Sequence, residues 1–216
     1  MAILSLSLLA ADILNMERDI KMILEAGVKW LHIDVMDGTF VPNFNSGYSS
    51  VKAISKITDA TLDVHLMIDK PIRYIEDFYK AGADYITVHI ESDTPENIML
   101  TLEKIKELGI KAGISVKPNT PVEEVWPYLE KCDMVLIMTV EPGFGGQRFM
   151  EDMMTKVCCL KEKLKTLNHE CYIQVDGGVD LDTTDICKKS GATVLVAGTS
   201  FFKAENKEEF VRMLEE

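Results

Sequence analysis

Residues 84–116 read DYITVHIESDTPENIMLTLEKIKELGIKAGISV and contain the repeating unit of the chain. An apolar run at 85–89 is followed by a segment of helical period at 95–108, and a second apolar run begins at Ala112. Gly109 stands where the helix has to end before the chain enters the next run. The pattern predicts a strand, a covering helix and a second strand parallel to the first.

The same unit recurs from one end of the chain to the other. Apolar runs that predict strands lie at 3–9, 30–35, 61–67, 85–89, 112–116, 134–138, 172–175 and 193–197. Segments of helical period lie at 12–25, 72–80, 95–108, 123–131, 150–167, 181–189 and 207–214, and glycines that predict helix ends are Gly27, Gly82, Gly109 and Gly191.

Eight predicted strands that alternate with helical segments in 216 residues predict an α/β fold, a single (β/α)8 TIM barrel that forms one domain over residues 1–216. An open doubly wound sheet is the structural alternative. It is disfavoured because no G-x-G-x-x-G fingerprint follows the first run.

The composition limits the classes of partner. With 35 acidic and 23 basic residues, the net charge of -12 argues against nucleic acid, although a local pocket can still bind a small anion. The apolar start at 1–11 is too short to span a bilayer and has no basic leader, so we expect no membrane association and a cytoplasmic location. Five cysteines without a C-x-x-C pair predict reduced, mostly buried thiols.

Residues typical of metal sites stand at the ends of three predicted strands. Alternation puts His32 and Asp34 on one face of their strand, and His65 and Asp176 end two others. A single histidine at a strand end is more often a hydrogen-bonded structural residue. Four such groups in apolar runs favour a site instead, because unpaired buried charges are costly. Two imidazoles and two carboxylates suit a divalent cation such as zinc or ferrous iron.

Other polar residues near these strand ends have supporting interpretations. His89 is predicted to be structural or to support the site, and Asp37 and Asp63 to orient ligands or cap loops. His169 lies in a polar connection and is predicted to be solvated. Met36, Met67 and Met138 either line the site or fill the core.

Glycine clusters follow the last three predicted strands, at 143–146, 177–178 and 198. One glycine pair alone would indicate only a tight turn. Three clusters at neighbouring strand ends favour a phosphate cup, because glycine lets backbone N–H groups approach an anion closely.

Four motifs resemble the ribulose-phosphate 3-epimerase family over nearly the whole chain. They are HIDVMDG at 32–38 with FVPN at 40–43, DVHLM at 63–67, MTVEPGFGGQ at 138–147 and VDGG at 175–178. The resemblance implies a barrel of the ribulose-phosphate-binding type and a cytoplasmic enzyme of the pentose phosphate pathway. Such an isomerase interconverts D-ribulose 5-phosphate and D-xylulose 5-phosphate by inverting carbon 3.

The resemblance also implies residue roles. His32, Asp34, His65 and Asp176 would hold one metal ion per subunit, zinc first, with iron(II), manganese or cobalt as other candidates. Asp34 and Asp176 would be the acid/base pair of an enediolate mechanism, which agrees with the need for two opposed bases to invert a carbon beside a carbonyl. The residues that would contact the substrate are Ser7, His65, Gly143, Phe144, Gly145, Gly146, Gly177, Gly178, Gly198 and Thr199. A homo-oligomer, dimer or hexamer, is implied.

Three alternatives stay open at this point. Departures from the family pattern at Leu6, Thr39 and 45–50 leave a D-allulose-6-phosphate 3-epimerase as the runner-up. A lyase of the orotidine-phosphate decarboxylase group would share the barrel, but His65 replaces the lysine of its Asp-x-Lys motif. A barrel that binds a sugar phosphate without turnover is the third, since a fold does not fix function.

Overall fold

The computed structural model describes residues 2–216 of the chain, and nine strands run through it. The strands are β1 (Ile3–Ser7), β2 (Trp30–Asp37), β3 (Phe44–Asn45), β4 (Thr61–Met67), β5 (Tyr85–His89), β6 (Lys111–Val116), β7 (Met134–Met138), β8 (Tyr172–Asp176) and β9 (Val194–Ala197). Eight of them are parallel neighbours in the order β1-β9-β8-β7-β6-β5-β4-β2, and β1 pairs with β2 to close the ring. The predicted (β/α)8 barrel is confirmed, and the open sheet is excluded because the two ends of the sheet are joined.

Helices lie between the strands. The α-helices are α1 (Met16–Glu25), α2 (Tyr48–Ile54), α3 (Ile75–Ala81), α4 (Pro95–Glu107), α5 (Met154–Leu167), α6 (Thr184–Ser190), α7 (Thr199–Lys203) and α8 (Lys207–Glu215). Short 3-10 segments lie at Leu8–Ala10, Ile13–Asn15, Pro71–Arg73, Ile90–Ser92 and Glu151–Met153, and a longer one at Val122–Lys131. No helix within residues 2–216 is long and apolar enough to cross a membrane.

Some local predictions were wrong. The segment 123–131 is a 3-10 helix, because Pro127 inside it has no N–H to donate to an α-helical bond. The first strand ends at Ser7 rather than at residue 9, since the Ser7 side chain accepts from the N–H of Leu9 and starts a 3-10 turn. Helices α2 and α7, and β3, which pairs antiparallel with the end of β2, were not predicted.

Alternation along the barrel strands separates two sets of side chains. In β4, Leu62, Val64 and Leu66 face outward and belong to the large apolar core between strands and helices. Asp63 and His65 alternate with them and therefore face the barrel interior. Burying an aliphatic side chain of this size contributes about 1.5 to 3 kcal/mol, so the outward set fixes the register and hence the position of the inward polar set.

The last helix completes the outer layer next to the first strand. Phe210 and Leu214 of α8 are buried, and the N–H of Ala2 donates to the carbonyl oxygen of Glu215 at 2.9 Å. The prediction of mostly buried thiols was wrong: Cys132 and Cys187 are buried, Cys171 is half-buried, and the adjacent Cys158 and Cys159 on α5 are exposed.

Candidate metal centre and active site

Pairing between β2 and β4 brings the predicted ligands together. His32 lies beside Asp63 and Asp34 beside His65 in the parallel register, and all four side chains face the barrel interior. Asp176 ends β8 across the barrel mouth. One ligand atom each from His32, Asp34, His65 and Asp176 lies within 4.8 Å of all the others.

The individual distances are those of a compact donor cluster. Oδ1 of Asp34 lies 3.4 Å from Nε2 of His32 and 3.2 Å from Nδ1 of His65. Oδ2 of Asp176 lies 3.8 Å from each of the same two nitrogens. Ligands of a tetrahedral ion with bonds near 2.1 Å are separated by about 3.4 Å, so these donors need little movement to share one cation.

His32 is oriented by a buried carboxylate. Its Nδ1 lies 2.8 Å from Oδ2 of Asp63, which also accepts from Ser5 and Gln174. Burial opposes ionisation of Asp63, but His32 and these hydrogen bonds hold its pKa below the ordinary value. Nδ1 of His32 is therefore the donor, and Nε2, which is buried without a hydrogen-bond partner, faces the other ligands.

The cluster favours positive charge at its centre. Burial alone would lower the pKa of His32, but the Asp63 and Asp34 carboxylates raise it well above the ordinary value. An unpartnered imidazole nitrogen, a second imidazole and two carboxylates are donors that a divalent cation takes readily. The residues present therefore fit a metal ion, and these donors accept zinc, iron(II), manganese or cobalt alike.

The two carboxylates of the cluster have opposite electrostatic surroundings. Burial opposes ionisation of Asp34, but His32 and His65 hold its pKa well below the usual range. Burial and the nearby Asp34 carboxylate raise the pKa of Asp176 above the usual range. Two carboxyl groups whose pKa values are pushed apart are typical of an acid and a base that work together.

A cavity of about 1200 Å3 opens above the cluster. Asp34 and Asp176 line it, together with Met36, Met67 and Met138, which also belong to small buried apolar clusters, so the methionines both line the cavity and fill the core. The Asp176 side chain is 16% exposed, whereas the other three ligands are almost fully buried. Asp176 is thus the ligand that is most open to a molecule in the cavity.

Glycine is required where the strand β8 ends. Gly177 has a φ of 123°, and a Cβ there would stand 2.4 Å from Cγ2 of Val140. Thr139 holds the same turn, since its N–H donates to the carbonyl oxygen of Asp176 at 2.8 Å and its Oγ1 to that of Gly177 at 2.7 Å. The turn that carries Asp176 is therefore fixed by close packing against the end of β7.

The loop after β7 is folded on itself. Nε2 of Gln147 donates to the carbonyl oxygens of Glu141 and Phe144, at 2.6 and 2.8 Å. Asn43, from the connection between β2 and β3, donates to the carbonyl oxygen of Gly143 at 2.8 Å. Phe144 at the loop tip is 54% exposed and lines the cavity.

The structure brings most of the predicted contact residues to one cavity. Its lining includes Ser7, Gly143, Phe144, Gly145, Gly146, Gly177, Gly178, Gly198 and Thr199. His65 is fully buried, with its Nε2 2.8 Å from Nε2 of His89, so His89, predicted to be structural or to support the site, lies in contact with a residue of the donor cluster. His169 is half-buried, and its Nε2 donates to the carbonyl oxygen of Cys132, so the prediction that it is solvated was wrong.

Sequence reasoning missed Asn43, Ala10 and Lys203, which also line the cavity. Asn43 ends the FVPN segment, and that position was the available signal for it. Ala10 and Lys203 lie in short helices after β1 and β9, for which the sequence has no distinctive pattern.

Residues 3–202 match the family model described as the ribulose-phosphate 3 epimerase family. The chain belongs to the ribulose-phosphate 3-epimerase family. It is 44% identical over 205 residues to a ribulose-phosphate 3-epimerase of Synechocystis, covering 95% of this chain and 89% of the relative. It is 42% identical over 211 residues to the cytoplasmic isoform from Oryza sativa subsp. japonica, covering 96% and 90%. Like these epimerases, the chain is an isomerase.

Solved structures show how widely the fold is shared. The 3-keto-L-gulonate-6-phosphate decarboxylase from Vibrio cholerae superimposes with a TM-score of 0.73 at 15% identity, over 99% of this chain and 95% of the other. At that identity the likeness concerns the fold alone. The distinction between an epimerase and a decarboxylase therefore comes from the family match and from His65 in the donor cluster.

Proposed function

We propose that this epimerase inverts carbon 3 of D-ribulose 5-phosphate to give D-xylulose 5-phosphate through an enediolate. The observation that carries the proposal is the placement of Asp34 and Asp176 in one donor cluster, with pKa values displaced in opposite directions. Inversion beside a carbonyl needs a base on one face of the carbon and an acid on the other. Two carboxylates from strands on different sides of the barrel can supply both.

The proton transfers belong to the carboxyl groups. Asp34 is held as a carboxylate, because Ser7 donates to its Oδ2 and the imidazoles lower its pKa. Asp176, whose carboxyl group is the more open to the cavity, holds a proton more readily. In one direction Asp34 removes the proton from carbon 3 while Asp176 delivers one, and the roles reverse in the other direction.

His32, Asp34, His65 and Asp176 would hold the metal. A divalent cation held by these residues would supply positive charge that stabilises the negative charge of an enediolate. Met36, Met67 and Met138 present soft apolar surface beside the carboxyl groups and keep water away from the reacting carbon. The metal is proposed to be zinc, with iron(II), manganese or cobalt as alternatives for the same donors.

The glycine turns would hold the phosphate end of the substrate. Gly177, Gly178 and Gly198 follow β8 and β9 and line the same cavity as the carboxyl groups. In (β/α)8 barrels the loops after these two strands commonly bind phosphate through backbone N–H groups. The loop at 143–146 lines the same cavity, and closure of its exposed tip would shield the reaction from water.

Turnover of purified protein tests the proposal. D-ribulose 5-phosphate and D-allulose 6-phosphate are compared before chelation, after it, and after zinc, iron(II) or manganese is restored. We expect chelator-sensitive turnover with a preference for the pentulose phosphate. A preference for the hexulose phosphate would assign the chain to the alternative substrate, and inactivity toward both in the metal-loaded protein would refute the epimerase proposal.

A further inference from the structure

A line of polar side chains leads from the donor cluster into the turn after β5. Nε2 of His65 lies 2.8 Å from Nε2 of His89, and Nδ1 of His89 lies 3.2 Å from Oε2 of Glu91. The two histidines are fully buried, and the Glu91 side chain is 21% exposed. We call these three residues the His65–His89–Glu91 relay.

The hydrogen positions in this relay are linked. Two imidazole nitrogens at hydrogen-bond distance share one hydrogen, so one ring donates and the other accepts. Glu91 sets the direction of donation along the relay. An ionised carboxylate can only accept a hydrogen bond, so Nδ1 of His89 must donate to it. Nε2 of His89 is left as the acceptor, and Nε2 of His65 carries the shared hydrogen. Nδ1 of His65 therefore has a lone pair.

That lone pair points into the donor cluster. Nδ1 of His65 lies 3.2 Å from Oδ1 of Asp34 and 3.8 Å from Oδ2 of Asp176. Carboxylate oxygens at these distances favour a cation beside this nitrogen. The relay therefore prepares His65 to bind a metal ion through Nδ1.

We propose that His89 and Glu91 are positioning residues that fix the tautomer and ring orientation of His65 as a metal ligand. The inference rests on the metal centre of the proposed function. It adds the residues that support the second histidine ligand of that centre. His32 is supported by direct contact with the Asp63 carboxylate, whereas His65 is supported through an intervening imidazole. Each imidazole of the cluster thus has its own carboxylate.

The surroundings of the relay restrict its motion. The Phe40 ring packs on His89 with ring centroids 4.8 Å apart. Nζ of Lys117 lies 3.8 Å from the centroid of the same Phe40 ring. The backbone at His89 is held by Oγ of Ser92, which donates to its carbonyl oxygen at 2.6 Å.

Glu91 is held by donors from the segment after β6. Its Oε1 accepts from the N–H of Lys117 at 2.8 Å and from Oγ1 of Thr120. With His89 on Oε2, the carboxylate has three donors and no neighbouring acceptor in this network, which suits the ionised form. Its position, and with it the direction of the relay, is thereby fixed.

The hydrogen positions can be measured in the unmodified protein. The chain has four histidines, so 15N-histidine labelling gives a resolvable set of ring nitrogens in long-range 1H–15N spectra. In zinc-loaded protein we expect hydrogen on Nε2 of His65 and on Nδ1 of His89. Hydrogen on Nε2 of His89 while zinc is bound would overturn the relay and leave the metal centre intact. A protein that binds no zinc would remove the basis of both.

Zinc affinity in variants gives the second readout. In Glu91→Gln the amide can donate to Nδ1 of His89, which reverses the relay and places hydrogen on Nδ1 of His65. We expect zinc affinity in competition with a chromophoric chelator to fall about 10-fold to 100-fold. Glu96→Gln is the matched control, an exposed acid five residues further on, and should bind zinc as the unmodified protein does. Unchanged affinity in folded Glu91→Gln would overturn the proposal.

Discussion

Oγ of Ser7 donates to Oδ2 of Asp34 at 2.8 Å, across the pairing that closes the barrel between β1 and β2. One oxygen of the carboxylate is thereby engaged, and the other, Oδ1, faces His32 and His65. The hydrogen bond fixes the plane of the carboxylate, so it decides which oxygen is presented to a cation.

We expect Ser7→Ala to lower kcat about tenfold and to destabilise the fold by roughly 1 to 3 kcal/mol, because a buried carboxylate oxygen loses its donor. Steady-state kinetics and thermal unfolding measure the two effects. Ser55→Ala, at a half-buried hydroxyl that does not line the cavity, is the control for kcat and should leave it unchanged. An unaltered kcat in Ser7→Ala would show that the carboxylate needs no such support.

We expect Asp176→Asn to lower turnover in both directions by at least about a thousandfold while the fold is retained, because one of the two proton-transfer groups is removed. Solvent deuterium incorporation at carbon 3 adds a sharper measurement, since a variant that retains Asp34 should still exchange that hydrogen in one epimer only. Asp182→Asn, at an exposed carboxylate of the same cavity, serves as control. Substantial turnover by Asp176→Asn would refute its assigned role.

We expect Gly177→Ala to cost about 1 to 3 kcal/mol in unfolding free energy, because a side chain is strained at a φ of 123° and the new Cβ would overlap Val140. The double variant Gly177→Ala/Val140→Ala should lose less than the two single effects added together, since the overlap is relieved. Gly47→Ala, with open space around an extended backbone, should be nearly neutral. Urea unfolding compares the unmodified protein with the four variants, which include Val140→Ala alone.

Glu91 predicts a specific pH dependence of stability. Burial opposes its ionisation, but hydrogen bonds from His89, Thr120 and Lys117 lower its pKa from 4.5 to about 2. Because the folded-state pKa is depressed, the stabilisation is fully present above pH 4.5 and is lost as the pH falls toward 2. That difference corresponds to roughly 3 kcal/mol.

Urea unfolding of chelated protein from pH 7 to pH 3 tests this. We expect Glu91→Gln to have a lower unfolding free energy than the unmodified protein at pH 7. The difference between the two proteins should narrow steadily below pH 4.5. Glu96→Gln should follow the unmodified protein at every pH. A difference in unfolding free energy that is constant with pH would mean that the packing of Glu91, rather than its ionisation, stabilises the fold.

Metal removal should lower thermal stability. A ligand that binds only the folded state stabilises it by about 2.7 kcal/mol at a free concentration of 100 times its Kd. Chelation should therefore lower the Tm, and added zinc should restore it. Because Asp63 and Asp34 raise the pKa of His32, protons compete with the metal there, and zinc affinity should fall as the pH decreases. A Tm that changes with neither chelator nor added zinc would contradict a metal centre.

Much of the fold could be predicted because the hydrophobic periods of its strands and longer helices are strong. The strands at Thr61–Met67, Tyr85–His89 and Met134–Met138 have the predicted bounds. Helix α7 was missed because five residues are too few to display a helical period. Helix α2 was missed because only Val51 and Ile54 of its seven residues are buried, which leaves an apolar stripe of two positions. The 3-10 segment at Val122–Lys131 keeps its apolar face inward, so its hydrophobic pattern alone resembled an α-helix.

The donor cluster could be predicted for a different reason. Alternation and the barrel rule assign side chains to a face and to an end of the sheet, and that was sufficient to bring His32, Asp34, His65 and Asp176 together. Neither rule says which atoms of two rings meet. The contact between His65 and His89 depends on side-chain torsions, so its tautomeric consequence required coordinates.

The hydrogen bond between Ala2 and Glu215 places these two residues side by side, so the barrel is suited to circular permutation. Residues 2 and 215 are close enough for a short linker to join them. New termini could then be opened at the exposed Gly109 turn, which connects α4 to β6 at the end of the barrel opposite the cavity. A circular permutant cut there should retain the donor cluster, since every pairing that builds it is left within one continuous chain.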